Sequence, residues 1–155
     1  MRAATRADVP LVVDLLRELA EYEKLAAHCD ANVARLEEHL FGARPACECL
    51  VGELDGSREA FALFFPTYST FAAAPGIWLE DLYVRPAARG SGLGRALLVE
   101  LARLALERGC ARLEWTVLDW NEPAIGFYQR LGAQRMDEWT TWRVQGDSLA
   151  LLAQF

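Results

Sequence analysis

The order of elements predicts an α+β fold with one mixed central sheet flanked by helices. Three observations carry that expectation. An apolar stripe at helical spacing, Val12, Val13, Leu16, Leu19 and Ala20, opens the chain. Two strand-like runs are then joined by a tight polar turn, Asp55-Gly56-Ser57. A third strand runs through a glycine-rich turn into a long amphipathic helix and a fourth, alternating strand. At 155 residues the chain has the length of one domain, read here as residues 1–155.

Each element has a local reason. Asp8 is placed to cap the first helix, which Val9 and Pro10 enter, since proline is tolerated in the first turn. A weaker helix is predicted from about Asn32 to Leu40, with Val33, Leu36 and Leu40 on one side and Gly42 and Pro45 closing it. Cys47–Leu54 and Glu59–Phe65 read as a hairpin. Gly76–Val84, rich in large and β-branched residues, reads as the third strand and stops at Arg85-Pro86. From about Gly92 to Arg108, Leu93, Leu97, Leu98, Leu101, Leu104 and Ala105 face inward, and Gly109 ends the helix. Ala111–Val117 alternates as a strand should. Gly76–Val84, this helix and Ala111–Val117 form a crossover unit with parallel strands. A short helix from about Glu122 to Leu131 ends at Gly132, followed by a strand near Thr140–Val144 and an apolar turn over Leu149–Leu152.

Composition narrows the function classes. Hydrophobic residues make up 53% and charged residues 25%, which excludes a disordered chain. The net charge of −6 gives no basic footprint for nucleic acid and suits a cationic small partner. The longest apolar stretch, Ala60–Phe65, is far short of a membrane span, and the N-terminus shows no signal pattern, so a cytoplasmic protein is expected. Cys29, Cys47, Cys49 and Cys110 have no zinc-site spacing with one another or with histidine, so they are expected to be idle or buried thiols and no metal is expected.

The chemistry is concentrated in Arg89-Gly90-Ser91-Gly92-Leu93-Gly94, between the third strand and the long helix. Glycines there let a ligand approach the backbone, and the unpaired amides of the helix start favour an anion such as phosphate. Arg95-Ala96 stands where a Walker A loop needs lysine followed by serine or threonine, and Arg95 stands where a Rossmann fingerprint needs its third glycine.

This Arg-x-x-Gly-x-Gly turn resembles the acetyl-CoA pyrophosphate loop of the GNAT N-acetyltransferase superfamily. Met1-Arg2-Ala3-Ala4-Thr5 with Ala7-Asp8 is similar to the family's opening strand and helix start. Asn121-Glu122-Pro123-Ala124 with Phe127-Tyr128-Gln129-Arg130-Leu131-Gly132 resembles its second signature. Leu19-Ala20-Glu21-Tyr22-Glu23, Leu79-Glu80-Asp81-Leu82-Tyr83-Val84 and Asp119-Trp120-Asn121-Glu122-Pro123 are similar to the diamine (spermidine/spermine) and thialysine acetyltransferase group. The resemblance covers nearly the whole chain.

It implies acetyl transfer from acetyl-CoA directly to the primary amine of a small diamine, polyamine or thialysine-like substrate. Such an amine, like Lys with a pKa near ~10.4, is mostly protonated at neutral pH, so a base is needed beside it. The departing thiolate benefits from an acid. The resemblance assigns Tyr128 as that acid and Glu80 as the base acting through water. It gives the backbone of Leu82, Tyr83 and Val84 to the cofactor and the acetyl oxygen, residues Arg89 to Arg95 to the diphosphate, and Asn121 to the pantetheine arm. Tyr22, Glu23, Asp81 and Trp139 fall to the amine, and a homodimer is implied. Strict alternation puts Glu80 and Asp81 on opposite faces; both reach one cleft only if the strand is bulged, as the family's strand is.

The stretch Thr67–Pro75 departs from polyamine-specific relatives. It reads Tyr68-Ser69-Thr70-Phe71-Ala72-Ala73-Ala74, and as a loop lining the amine entrance it favours a shorter or amphipathic amine. No cysteine falls on a motif, so no acyl-enzyme route has a candidate. The alternatives are a GNAT enzyme acting on protein lysines or N-termini and a CoA-binding regulatory module without turnover.

Overall fold

The computed structural model describes residues 1–155. Its contacts divide the chain into two compact units, Met1–Thr116 and Val117–Phe155. The first contains a five-stranded sheet in the order β1-β2-β3-β4-β5, with β1 at Arg2–Ala3, β2 at Glu48–Leu54, β3 at Ser57–Ser69, β4 at Ala74–Val84 and β5 at Arg112–Glu114. Pairing is antiparallel from β1 to β4 and parallel between β4 and β5, so the mixed α+β sheet and the parallel crossover expected from sequence are both present. The β2–β3 turn is Asp55-Gly56, with both φ values positive (50° and 79°) and Leu54 paired to Ser57. That geometry matches the right-handed twist of the strands it joins.

Helix α1 (Val9–Tyr22) and α2 (Val33–Phe41) cover one face. Val9, Val12, Leu15 and Leu19 of α1 pack with Leu40 of α2 and with Cys49, Val51, Phe61, Leu63 and Tyr83 of the sheet. The alternate strand positions, Leu50, Ala60, Ala62 and Phe64, are buried as well. They serve α3 (Leu93–Glu107), which buries Leu93, Leu97, Leu98, Leu101 and Ala105. At Gly52 the Leu93 side chain comes so near the strand that an added Cβ would stand 3.3 Å from it. Burying both faces of a short sheet explains why β2 and β3 read as nearly continuous apolar runs.

Asp8 does not cap α1 through its side chain. It is helical itself (φ −90°, ψ −15°), ending a 3-10 turn over Arg6–Asp8. Its carboxylate, 1% exposed, turns back to accept hydrogen bonds from the Thr5 amide (2.8 Å), the Thr5 hydroxyl (2.7 Å), Arg2 (2.7 and 2.9 Å) and Arg58 of β3 (2.9 Å). A carboxylate buried among five such donors is more stable than one capping a solvent-facing turn.

Three further expectations are corrected. The strand expected over Ala111–Val117 is only Arg112–Glu114, because β5 pairs with β4 for three residues, Gly76–Trp78. Thr140–Val144 forms no strand; these residues are exposed, and alternation without a paired neighbour does not make a ladder. Thr67–Pro75 is not a loop, since β3 runs to Ser69 and β4 begins at Ala74, leaving a turn over residues 70–73 in which the Ser69 hydroxyl accepts from the Ala72 amide at 3.2 Å. That tip precedes Glu80 by seven residues of extended chain, about 23 Å at strand rise, so it does not border the later half of β4. Smaller shifts also occur: β2 starts at Glu48, leaving Cys47 just outside it, and Leu15 is buried where Leu16 is half-buried.

In the second unit, α4 (Glu122–Arg130) and α5 (Asp147–Leu152) are the regular elements. Asn121 caps α4, its side-chain oxygen accepting from the Ala124 amide at 3.4 Å, with Pro123 in the first turn.

Two Arg side chains facing a neutral partner would lose most of their attraction, so Asp8→Asn is expected to destabilise the fold. With both arginines partly exposed, the cost should be about 2 kcal/mol, or about 4–8 °C in Tm. The arginine and threonine donors hold the Asp8 carboxyl far below the ordinary carboxylate range, Arg2 contributing most. A depressed folded-state pKa stabilises above the unfolded value, near ~3.9, and that stabilisation is lost as pH falls below it. The stability gap between wild type and Asp8→Asn should therefore be constant from pH 7 to 5 and narrow by pH 3; a gap that widens on acidification contradicts this role.

Candidate functional site

β4 changes register within the sequence that carries its carboxylates. Leu63 of β3 faces Asp81, but the next residue, Phe64, faces Leu79, so Glu80 is an extra residue in the ladder. This is the bulge that the sequence required for Glu80 and Asp81 to serve one cleft. Glu80 is exposed and Asp81 half-buried. Trp78, two residues earlier, donates its indole N–H to Glu80 Oε2 at 2.8 Å. Sequence reasoning missed Trp78; its i,i+2 spacing from Glu80 on a strand was the available signal.

Asp81 has its proton affinity pushed up to about 7, first by burial and then by the negative charges of Glu80 and Glu23. Glu23 is itself raised by burial. Carboxylates from the end of α1 and from the bulge of β4 thus both act on Asp81. Concentrated negative charge with partial desolvation is a setting that favours a cation.

Glu23 is held there by the way α1 ends. It caps the helix, the Leu25 amide reaches back to the Ala20 carbonyl at 2.8 Å, and Lys24 takes a left-handed conformation (φ 62°). One residue earlier, the Tyr22 ring lies under the Arg89 guanidinium at 4.8 Å, with the Tyr83 ring at 5.9 Å from the same group. Arg89 Nε–H also donates to the Val84 carbonyl at 3.2 Å. Tyr83 is buried against α1, and burial, followed by the Glu18 carboxylate, raises its phenol above the ordinary value.

The β4–β5 ladder ends at Trp78, whereas β4 continues to Val84. From Leu79 to Val84 the strand edge on that side has amides and carbonyls without a β5 partner. The carboxyl ends of the strands are where ligands of open α/β sheets bind. Leu82 and Val84 are half-buried along that edge.

The chain then passes through Pro86–Ala88 into the glycine turn. Gly90 (φ 83°) and Gly92 (φ 92°) both adopt conformations that L side chains avoid, and no atom lies within 4 Å of a Cβ built on either. Ser91 Oγ donates to the Ala88 carbonyl at 2.7 Å, and the Ala96 amide makes the first α3 bond, to Gly92 at 2.9 Å. The amides of Leu93, Gly94 and Arg95 therefore precede the helix's own bonding and are available to an anion. An open turn with exposed amides fits a diphosphate, and a side chain at Gly90 or Gly92 would fill the space it needs.

Tyr22, Glu23, Glu80, Asp81, Leu82, Tyr83, Val84 and residues 89–95 thus all lie in the first unit. Asn121, Tyr128 and Trp139 lie in the second. Asn121 is buried at the start of α4; Tyr128 is half-buried on that helix, its ring 5.3 Å from Phe127 at a 53° tilt, and its carbonyl accepts from the Ala133 amide at 3.2 Å. Trp139 is exposed on a turn beyond α4. The four cysteines are free thiols; Cys49 is buried in β2, and burial raises it to about 12.

A family model described as the Acetyltransferase (GNAT) family matches residues 12–133. The chain is 37% identical over 164 residues to a thialysine N-epsilon-acetyltransferase of Bos taurus, covering 99% of this chain and 96% of that protein. It is 31% identical to an L-ornithine N5-acetyltransferase of Arabidopsis thaliana, covering 96% and 85% of the two chains. Among solved structures, an integron cassette protein from the mobile metagenome of V. cholerae superposes with a TM-score of 0.83 at 25% identity, covering 99% and 96%. A probable acetyltransferase does so with a TM-score of 0.79 at 21% identity, covering 94% and 97%.

Asp81 binds its proton more tightly in the fold than in the unfolded chain. Stability is therefore lost as pH rises from the unfolded value, near ~4, through about 7. Asp81→Asn, which does not titrate, should melt close to wild type at pH 4 and at least about 4 °C above it at pH 8. Thermal melts at the two pH values check this, and a difference independent of pH would exclude a desolvated Asp81.

Proposed function

The chain belongs to the acetyltransferase (GNAT) family, and on that premise we propose that it moves an acetyl group from acetyl-CoA directly to a primary amine of a thialysine-like amino acid or short diamine. The observation that carries the reading is the three-carboxyl cluster of Glu23, Glu80 and Asp81 beside a glycine turn open to a diphosphate. One end of that arrangement suits an ammonium group and the other a phosphate-bearing cosubstrate. The named activities of the bovine and plant relatives, on thialysine and L-ornithine, support a short amine that also carries a carboxylate.

Bound acetyl-CoA supplies the activated acyl group; the residues of this chain do the rest. The amides at the start of α3, Leu93 to Arg95, with the glycines before them, hold the diphosphate, and the backbone of Leu82, Tyr83 and Val84, on the edge that β5 leaves, hydrogen-bonds the pantetheine amides and the acetyl oxygen. A donor aimed at an oxygen where charge develops is worth roughly 3 kcal/mol of barrier. Glu80, oriented by the Trp78 indole, takes the ammonium proton through water. Asp81 and Glu23 hold the remaining positive charge of the substrate. Asn121 contacts the pantetheine arm, Trp139 packs on the substrate, and Tyr128 delivers a proton to the departing sulfur.

The same proposal includes a cytoplasmic homodimer without a resident metal. No helix is long and apolar enough to cross a membrane, and the four unbridged thiols suit a reducing compartment. Trp142, 90% exposed, gives a second copy an apolar side chain to cover. Sedimentation as a monomer at micromolar concentration would remove the dimer from the proposal.

Thiol release from acetyl-CoA, measured across thialysine, ornithine, diamines, polyamines and lysine peptides, tests the reaction. Turnover is expected with the short amines and not with the peptides. Preference for peptides would favour a protein acetyltransferase, and CoA binding without turnover on any amine would favour a regulatory module. Tyr128→Phe should lower kcat about 100-fold and leave CoA affinity nearly intact. Gly92→Val should instead abolish CoA binding in calorimetry, because it strains a positive-φ position and fills the open turn. Unchanged kcat in the first variant, or normal CoA affinity in the second, removes the corresponding role.

A further inference from the structure

α1 and the glycine turn are tied by two rungs of equal spacing. Glu18 and Tyr22 stand one helical turn apart on α1, and Arg85 and Arg89 stand four residues apart across the Pro86–Ala88 turn. The first rung is an ion pair in which Arg85 donates three hydrogen bonds to the Glu18 carboxylate, at 2.7, 3.0 and 3.1 Å. In the second, the Arg89 guanidinium lies over the Tyr22 ring at 4.8 Å and within 5.9 Å of the Tyr83 ring, with its Nε–H donated to the Val84 carbonyl at 3.2 Å.

The first rung fixes α1 to the end of β4, which the core already holds. The second joins the residue that opens the glycine turn to the last residue of α1 before Glu23. Arg89 is exposed and Tyr22 half-buried, so the stack is accessible to changes on the loop side. A guanidinium within 4.8 Å of one ring and 5.9 Å of another, and bonded through Nε, is engaged with the protein on the strand and helix side.

We propose that the Tyr22–Arg89–Tyr83 stack is a coupling contact: a diphosphate that orders the glycine turn also orders the end of α1, so that Glu23 is set for the amine only when the cosubstrate is bound. Tyr22 is then a positioning residue that acts through Arg89, not a contact of the amine. The backbone amides of the turn carry the diphosphate, and Arg89 reports its presence. This rests on the acetyltransferase reading above and names how its two binding regions communicate. A ligand shifts a second site only by the difference in contacts it makes between two arrangements, and a cation–π contact of this kind supplies about a fivefold difference.

The test uses CoA, which lacks the acetyl group and so occupies the turn without reaction, and thialysine as the amine. Calorimetry gives the thialysine affinity with and without saturating CoA, and the ratio of the two is the readout, so any change in CoA affinity itself divides out. The wild type should bind thialysine about fivefold more tightly with CoA present. Tyr22→Leu should bring the ratio to within about 1.5-fold, and Tyr22→Phe, which keeps the ring face, should retain it. Arg89→Gln, changed from the exposed side, should lose it as Tyr22→Leu does, and the double variant should be no worse than either single one. A wild-type ratio near one overturns the coupling, as does a full ratio in Tyr22→Leu or a lost ratio in Tyr22→Phe. Failure of the wild type to bind CoA, or of its CoA complex to bind thialysine, overturns the acetyltransferase reading instead.

Discussion

One extra residue in β4 governs the arrangement of the site. With Glu80 outside the ladder, the strand meets β3 in two registers, one before and one after the bulge. The same stretch is where pairing with β5 stops. A strand released from its parallel neighbour has an edge of free amides and carbonyls, and one that is bulged brings adjacent side chains toward a common side. The open strand edge and the placement of Glu80 beside Asp81 follow from those two features of a single strand; Glu23 joins them from the end of α1.

That support is electrostatic at the chain's beginning and apolar in its middle. Asp8, sealed from water, joins the first strand through Arg2, the helix start through Thr5 and the third strand through Arg58. Replacing such a carboxylate leaves Arg58 without this partner and Arg2 with Glu53 alone, which costs more than the original attraction contributes. Behind β4, Phe61 and Leu63 press against Leu15 and Leu19 of α1, and the leucines of α3 close the other face. A close-packed sheet can leave one edge of a strand open, because the side chains rather than the ladder hold it in place.

The carboxyl cluster and the glycine turn have opposite electrostatic characters and sit at the two ends of the same strand segment. The turn holds amides that precede the helix's own bonding; the cluster gathers negative charge. Burial raises both Asp81 and Glu23, and the charges of Glu80 and Glu23 raise Asp81 further.

Most of the fold was legible from spacing. The α1 stripe, the Asp55-Gly56 turn, the long helix behind the glycines and the Asn121 start of α4 are local patterns whose physics is complete within a few residues. The motif at residues 89–94 and the need for a bulge at Glu80 were legible for the same reason, since a steric or alternation rule decides them. Other features depended on partners far away in sequence. Asp8 looked like a helix cap until Arg2 and Arg58 offered it more donors than a helix start does. Thr140–Val144 alternates like a strand, but a strand is made by a neighbour. Thr67–Pro75, expected as a loop lining the amine entrance, is mostly β3 and β4 because cross-strand pairing claims it. Sequence by itself determined most of the element order, the positive-φ glycine turn and the identity of the acidic residues, because those are short-range properties. Only the tertiary structure decided which carboxyls share a dielectric environment, where β5 lets go of β4, and that Tyr22 stacks on Arg89, because burial and contact belong to pairs of residues that the chain brings together only on folding.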